Sequence, residues 1–216
     1  MAIGTILAQL GSGMIKSVEI FVLTLLFSMP LGLVVALGRM STSKILSGII
    51  NIYIAIMRGT PLMLQLIVVY FAPFYVFGVT LSPGFRFTAV IIAFSINYAA
   101  YFAEIFRAGI QSIAIGQWEA AQILGYSKVQ TFFKIILPQV IQRIIPPVTN
   151  ETITLVKDTS LSFVLSVTEM FTIAKQIGAR EASIMPLMIA GLFYFIFNYI
   201  VAFGMDRFEK KMSYFR

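Results

Sequence analysis

Long apolar runs separated by short polar breaks dominate the chain. Met14 to Leu37 is apolar apart from Lys16 and Glu19 near its start. Pro61 to Val79, Phe87 to Phe106, Pro147 to Phe171 and Met185 to Met205 repeat the pattern. About 20 mostly apolar residues in a helix cross the roughly 30 Å hydrocarbon core of a bilayer. The pattern therefore predicts an all-α membrane protein with about five transmembrane helices. Pro61 falls in a first helical turn, where no N–H is needed. Ser82-Pro83-Gly84 reads as a turn. Ile45 to Met57, flanked by Lys44 and Arg58, is too short to span and predicts an interfacial or inward-angled helix.

Arg107 to Thr149 has a different character, with mixed polar and apolar residues. It predicts two short helices. The first stops at Gly125, which tolerates a left-handed conformation. The second opens at Ser127, with Gln130 three residues on as a capping box, and ends near Pro138. Met1 to Gly13 lacks the basic start and apolar core of a cleavable leader.

Composition narrows the class. Of 216 residues 59% are hydrophobic and 12% charged, about half the charge of an average soluble domain. The net charge of +7 comes from basic residues placed between apolar runs, not from a nucleic-acid-binding face. With the N-terminus outside, eleven basic residues fall in cytoplasmic segments and four outside. The positive-inside rule then gives N-out, C-in. Without cysteine or histidine, thiol chemistry and a His-based metal site are excluded. No nucleophile–base motif suggests a membrane enzyme, and no metal site is expected.

The loop carries the most specific motif. Glu119-Ala120-Ala121 is followed by three residues, Gly125, nine residues, Ile135, one residue, and Leu137-Pro138. This spacing resembles the EAA loop of ATP-binding-cassette (ABC) importer permeases. Further segments match the permeases of polar amino-acid uptake systems. They are Arg58-Gly59-Thr60-Pro61, Asn97-Tyr98 with Glu104 and Arg107, Gly116-Gln117, and Lys157-Asp158-Thr159-Ser160-Leu161. The match runs over most of residues 15–205.

The resemblance implies a single permease domain over residues 1–216, with a coupling loop at about 107–149. It implies that Glu119, Ala120, Ala121 and Gly125 couple to the ATPase through a coupling helix. The implied partners are a second permease subunit (homo- or heterodimer), two cytoplasmic ATP-binding subunits and an extracytoplasmic amino-acid-binding protein. The implied location is the cytoplasmic membrane of a prokaryote. The chain has no GxxxxGK[ST] phosphate loop. It carries no cofactor of its own in this reading. ATP and Mg are expected on the partner subunits, and this chain is expected to be a transport subunit, not an enzyme.

Ionisable residues inside a span are functional candidates because charge in hydrocarbon is costly. Glu151 and Asp158 are seven apart, on one helix face, with Ser162 near the same stripe. Asn97, Tyr101 and Glu104 share a face of the third span. At about 1.5 Å per residue, Asp158 lies about 16 Å into a helix from Pro147 and Asn97 about 15 Å into one from Phe87. Both depths fall near the middle of the core. Asn97, Tyr101, Glu151, Asp158 and Ser162 are thus the candidate substrate contacts. Glu104, Arg107 and Lys157 are candidates for structural ion pairs. Acids in a low-dielectric pocket call for a compensating cation. A basic L-amino acid is the expected cargo, arginine or lysine first, then histidine, with glutamine as a neutral fallback. The alternatives are a permease for methionine, an osmolyte or another small solute, or an ion-coupled secondary transporter.

Overall fold

The computed structural model describes residues 2–82 and 84–212. Pro83 of the expected turn and Arg216 of the basic tail lie outside the described residues. Those described are helical almost throughout, and no strand occurs among them. Helix α1 (Ile3–Arg39) is followed by α2 (Lys44–Gly59), α3 (Leu62–Phe77) and α4 (Phe85–Gln111). A short α5 (Ile115–Ile123) leads into α6 (Lys128–Thr131), and α7 (Leu137–Asp158), α8 (Met170–Arg180) and α9 (Met185–Met212) complete the chain.

Helix α4 is the axis of the bundle. Its Phe94, Tyr98, Phe102 and Phe106 stand four apart, so their rings line one face in a ladder with centroids 6.1–6.3 Å apart. On another side α1 approaches closely. A Cβ on Gly32 would sit 2.8 Å from Phe102 Cβ and 3.1 Å from the Ala99 carbonyl oxygen. Small residues at such contacts let helix backbones approach in a membrane, where packing replaces the hydrophobic effect. The main core gathers Ile20, Leu66, Phe94, Phe102, Leu155 and Val156 from α1, α3, α4 and α7.

Several sequence expectations change. The first helix begins at Ile3, not near Met14, because Ile6 and Leu10 are buried against Met170, Ala174 and Ile177 of α8. Pro138 ends no helix. The chain passes from α6 through a π-helical segment (Phe132–Ile136) into α7. A π segment is widened, which makes room before a proline that lacks an N–H and crowds the carbonyl four residues back. The fourth expected span, Pro147 to Phe171, is not one helix. Helix α7 stops at Asp158, a 3-10 segment (Thr159–Leu165) follows, and Ser166 adopts a left-handed conformation (φ 55°) before α8. Asp158 is therefore the last residue of α7, not part of one long helix running to Phe171. Among the described residues α1, α4 and α9 are long and apolar enough to cross a membrane. The pair α2–α3, bent by 113°, adds a fourth if it is one broken span. The short helix expected over Ile45 to Met57 is α2.

The α7–α8 break is held by Glu169, which is fully buried. It caps α8, accepting from Phe171 N (2.6 Å), Thr172 N (2.8 Å) and Thr172 Oγ1 (2.8 Å). It also accepts from Tyr194 Oη of α9 (3.1 Å) and Ser17 Oγ of α1 (3.4 Å). Five donors converge on one carboxylate and tie three helices together. Glu169→Gln replaces one acceptor oxygen by a donor amide facing donors. The expected loss is about 1–3 kcal/mol of stability, measured as a lower Tm of the purified permease. An unchanged Tm would show that the cluster does not brace the bundle.

Candidate functional site

A second break, at Gly59-Thr60-Pro61, shapes the site. The residue before a proline avoids the α conformation, and Thr60 is extended (φ −121°, ψ 148°). The last carbonyls of α2 thus lose their helical partners. Gln65 Nε2 donates to the carbonyls of Met57 (3.0 Å) and Thr60 (3.1 Å) and lies 2.8 Å from Thr60 Oγ1. Asn97 Nδ2 donates to the Met57 carbonyl (3.0 Å) and to Gln65 Oε1 (2.9 Å). Tyr53 Oη donates to the Ile96 carbonyl (2.6 Å) and fastens α2 to α4.

The bend directs Arg58 at a cavity of about 490 Å³ between α2, α4 and α7. Arg58, Tyr101, Glu104, Arg143 and Glu151 are its chemically active lining, with Ala108, Gly109 and Pro147 among the small or apolar remainder. Arg58 lies over the Tyr101 ring, 5.3 Å from its centroid, and 4.0 Å from Glu104 Oε2. Arg107 grips Glu104 at two points, Nε to Oε1 (3.0 Å) and Nη2 to Oε2 (2.6 Å). Arg143 donates to the Ser112 carbonyl. Glu151 is partly buried and has no hydrogen-bond or ion-pair partner among the described residues. The cavity therefore offers one uncommitted carboxylate, two guanidinium groups and an aromatic face. Carboxylate and ammonium groups of a zwitterion match such a set.

The expected substrate contacts separate. Tyr101 and Glu151 line the cavity with Glu104. Asn97 is buried and turned to the α2–α3 break, its donors engaged. Asp158 is not among the lining residues and accepts from Tyr98 Oη (2.8 Å). Ser162 is buried in the 3-10 segment, donating to the Thr159 carbonyl (2.8 Å). Glu104 and Arg107 form an ion pair, whereas Lys157 is exposed and has no carboxylate within 4.0 Å among the described residues. Arg58 and Arg143 were not predicted to line a cavity. The Gly-Thr-Pro after Arg58 was the available signal, because a break there redirects the helix end.

At one end of the bundle, α5 presents Glu119 and Ala120 outward while Ala121 is buried. Gly125 is left-handed (φ 78°) and the Tyr126 N–H closes on the Ala121 carbonyl (3.0 Å). Ser127 and Gln130 form the expected capping box. Trp118, Phe132 and Ile135 pack on Ile113, Ile136 and Val140 beneath α5. Ile123 and Leu124 remain 86% and 73% exposed.

A helical membrane bundle with a polar cavity between its helices and a short loop helix at one end has the form of a membrane transport component. The family model described as "Binding-protein-dependent transport system inner membrane component" matches residues 28–214, and the chain belongs to this family. The family is that of ABC importer permeases, as the EAA loop implied. The chain is 38% identical over 206 residues to the L-cystine transport system permease protein TcyB of Bacillus subtilis (strain 168), covering 94% of this chain and 86% of that protein. It is 36% identical over 202 residues to the arginine transport system permease protein ArtQ of the same organism, covering 93% and 91%. Among solved structures, an amino acid ABC transporter with histidines matches with a TM-score of 0.86 and 32% identity, covering 94% of each chain. The MetNI methionine ABC transporter, at 18% identity and a TM-score of 0.77 over 98% of this chain and 99% of that one, shares the fold.

Replacing Asn97 by Leu leaves Gln65 Oε1 without its donor and the Met57 carbonyl with Gln65 alone. An unpaired buried polar group costs about 1–3 kcal/mol. Asn97→Leu is expected to lower the Tm of the permease and to expose the 59–61 bend to limited proteolysis. A variant with wild-type Tm and wild-type cleavage would remove Asn97 from that structural role.

Proposed function

We propose that this permease moves polar, basic L-amino acids, arginine or lysine first, across a prokaryotic cytoplasmic membrane. Glu151, half-buried and unpaired in a cavity with Arg58 and Tyr101, carries the reading. A cationic side chain answers the Glu151 carboxylate, and Arg58 or Arg143 answers the α-carboxylate, bidentately in the manner of guanidinium groups. Similarity to an arginine permease and to an amino acid transporter with histidines supports this cargo. The two arginines in the lining favour one second reading, a net-neutral zwitterion such as cystine or glutamine, with cystine named for the TcyB relative.

In this proposal the N-terminus is outside and the C-terminus inside, with α5 in the cytoplasm. Two copies, or this chain and a similar one, form the pathway. Separate ATPase subunits, carrying ATP and Mg, dock on α5 through Glu119, Ala120 and the exposed Ile123 and Leu124, and a binding protein delivers cargo outside. Alternating access follows when ATPase motion tilts α5. The capped joint at Gly125 to Gln130 passes that motion into α7, whose Glu151 faces the cavity.

Uptake of labelled arginine, cystine and glutamine by the reconstituted complex tests the cargo. Glu151→Gln is expected to lower arginine uptake about 10–100-fold, the loss of one charge-assisted contact of about 1.5–3 kcal/mol. Failure of arginine to compete in the wild type, or full arginine uptake by the variant, would refute the basic cargo. Coupling is tested at Gly125. Gly125→Val puts a β-branched residue at φ 78°, which it tolerates poorly. ATPase subunits are expected to co-purify less and transport to fall, with Glu119→Lys acting in the same direction. Intact assembly and transport in both variants would disprove docking at α5.

A further inference from the structure

The polar cavity has an apolar counterpart on the other side of the α4–α7 crossing. The two helices meet at Gly109, where an added Cβ would collide with Ile144. Gly109 belongs to the polar cavity and Ile144 to a groove of about 430 Å³. All nine residues lining that groove are apolar. Pro30 and Leu33 come from α1, Phe106 and Ile110 from the last turns of α4, and Phe132 and Ile144 from the π segment and α7.

Two local irregularities border the groove. Pro30 interrupts the hydrogen-bond ladder of α1, since it has no N–H. On the facing wall the π segment begins at Phe132 and widens the helix. Neither wall closes fully on α4. The volume lies within the roughly 300–1,000 Å³ of small-ligand sites, and a cavity without polar groups does not hold water. The groove also continues onto the exposed outer row of α1, Leu26, Leu33, Val34 and Leu37. On a helix that crosses a bilayer, that row meets acyl chains.

We propose that this groove seats one acyl chain of a membrane phospholipid. The chain enters along α1, in the leaflet nearer α5, and lies between α1, α4 and α7. Its headgroup-proximal part lies nearest Phe132, which also packs on the cluster that holds Trp118 of α5, and its tail runs toward Met29 and Pro30. The site thus places lipid against the joint between the loop helix and α7. It is apolar, separated from the cargo cavity by the Gly109–Ile144 crossing, and does not depend on which amino acid is carried.

The test uses the assembled transporter in nanodiscs of phosphatidylethanolamine and phosphatidylglycerol. A small fraction of the lipid carries a diazirine in the half of one acyl chain nearer the headgroup. After photolysis, peptide mass spectrometry maps the adducts. Groove peptides containing Phe106, Ile110 or Leu137 are expected to label more strongly than the outer face of α9 at Leu192 and Ile196. Ile110→Trp, which fills the groove, is expected to lose that labelling and keep labelling on α9. Leu33→Trp fills it from α1 and gives the same result should Ile110→Trp assemble poorly. Groove labelling no stronger than on α9, or unchanged in either assembled variant, would overturn the site. Absent groove labelling with α9 labelled would also overturn it, showing that a second copy or another protein fills the groove.

Discussion

Inside a bilayer no water waits to bond a freed N–H or C=O, so every backbone break must be satisfied by protein. That constraint organises this molecule. Two breaks matter most among the described residues, Gly59-Thr60-Pro61 and Asp158 to Glu169. Each break is closed by a buried polar side chain that bonds backbone directly. Asn97 with Gln65 satisfies the end of α2. Glu169, with Ser17 and Tyr194 around it, caps the start of α8. Remove the polar groups and the breaks become untenable; remove the breaks and the polar groups become isolated in hydrocarbon.

The breaks place function. The first turns α2 so that Arg58 ends at the cavity rather than in a distant loop. The second ends α7 at Asp158, which Tyr98 holds from the aromatic ladder of α4. Between the two, Glu151 stays on regular helix and without a partner. The result is a cavity with charges of both signs, one acid matched by Arg107 and one, Glu151, with no hydrogen bond or ion pair among the described residues. Rigid helix surrounds irregular backbone, and the site lies where the two meet.

At the other end of the same helix, mechanical continuity decides the design. From Ser127 to Asp158 the backbone stays helical, through a capped start, a π segment and three prolines. Pro138 is accommodated after the widened segment, so a helix that propensity would end there continues. In the proposed coupling, a displacement of α5 passes through the Gly125 turn and then along this one element to Glu151. The apolar groove beside Phe132 is the space that the widened segment and Pro30 leave behind.

The sequence by itself determined what local chemistry controls. Apolar length gave the helical membrane class, and α3 followed its apolar run closely, whereas α4 and α9 continue past theirs to Gln111 and Met212. The left-handed Gly125 and the Ser127–Gln130 capping box are set by a few neighbouring residues and appeared as expected. EAA spacing identified the permease family before any coordinates. Side-chain direction was another matter. Helical periodicity put Asn97 on a face with Tyr101 and Glu104, yet Asn97 bonds the α2–α3 break, because an unsatisfied carbonyl from another helix outcompetes an open pocket. Glu169 is one more charge within the apolar run Pro147 to Phe171, and three helices had to meet before it became a cap. Arg58 entered the cavity only once the 113° bend existed. Those outcomes depend on partners distant in sequence. Tertiary structure alone decided them, because inside a membrane a polar group goes where its hydrogen bonds are needed.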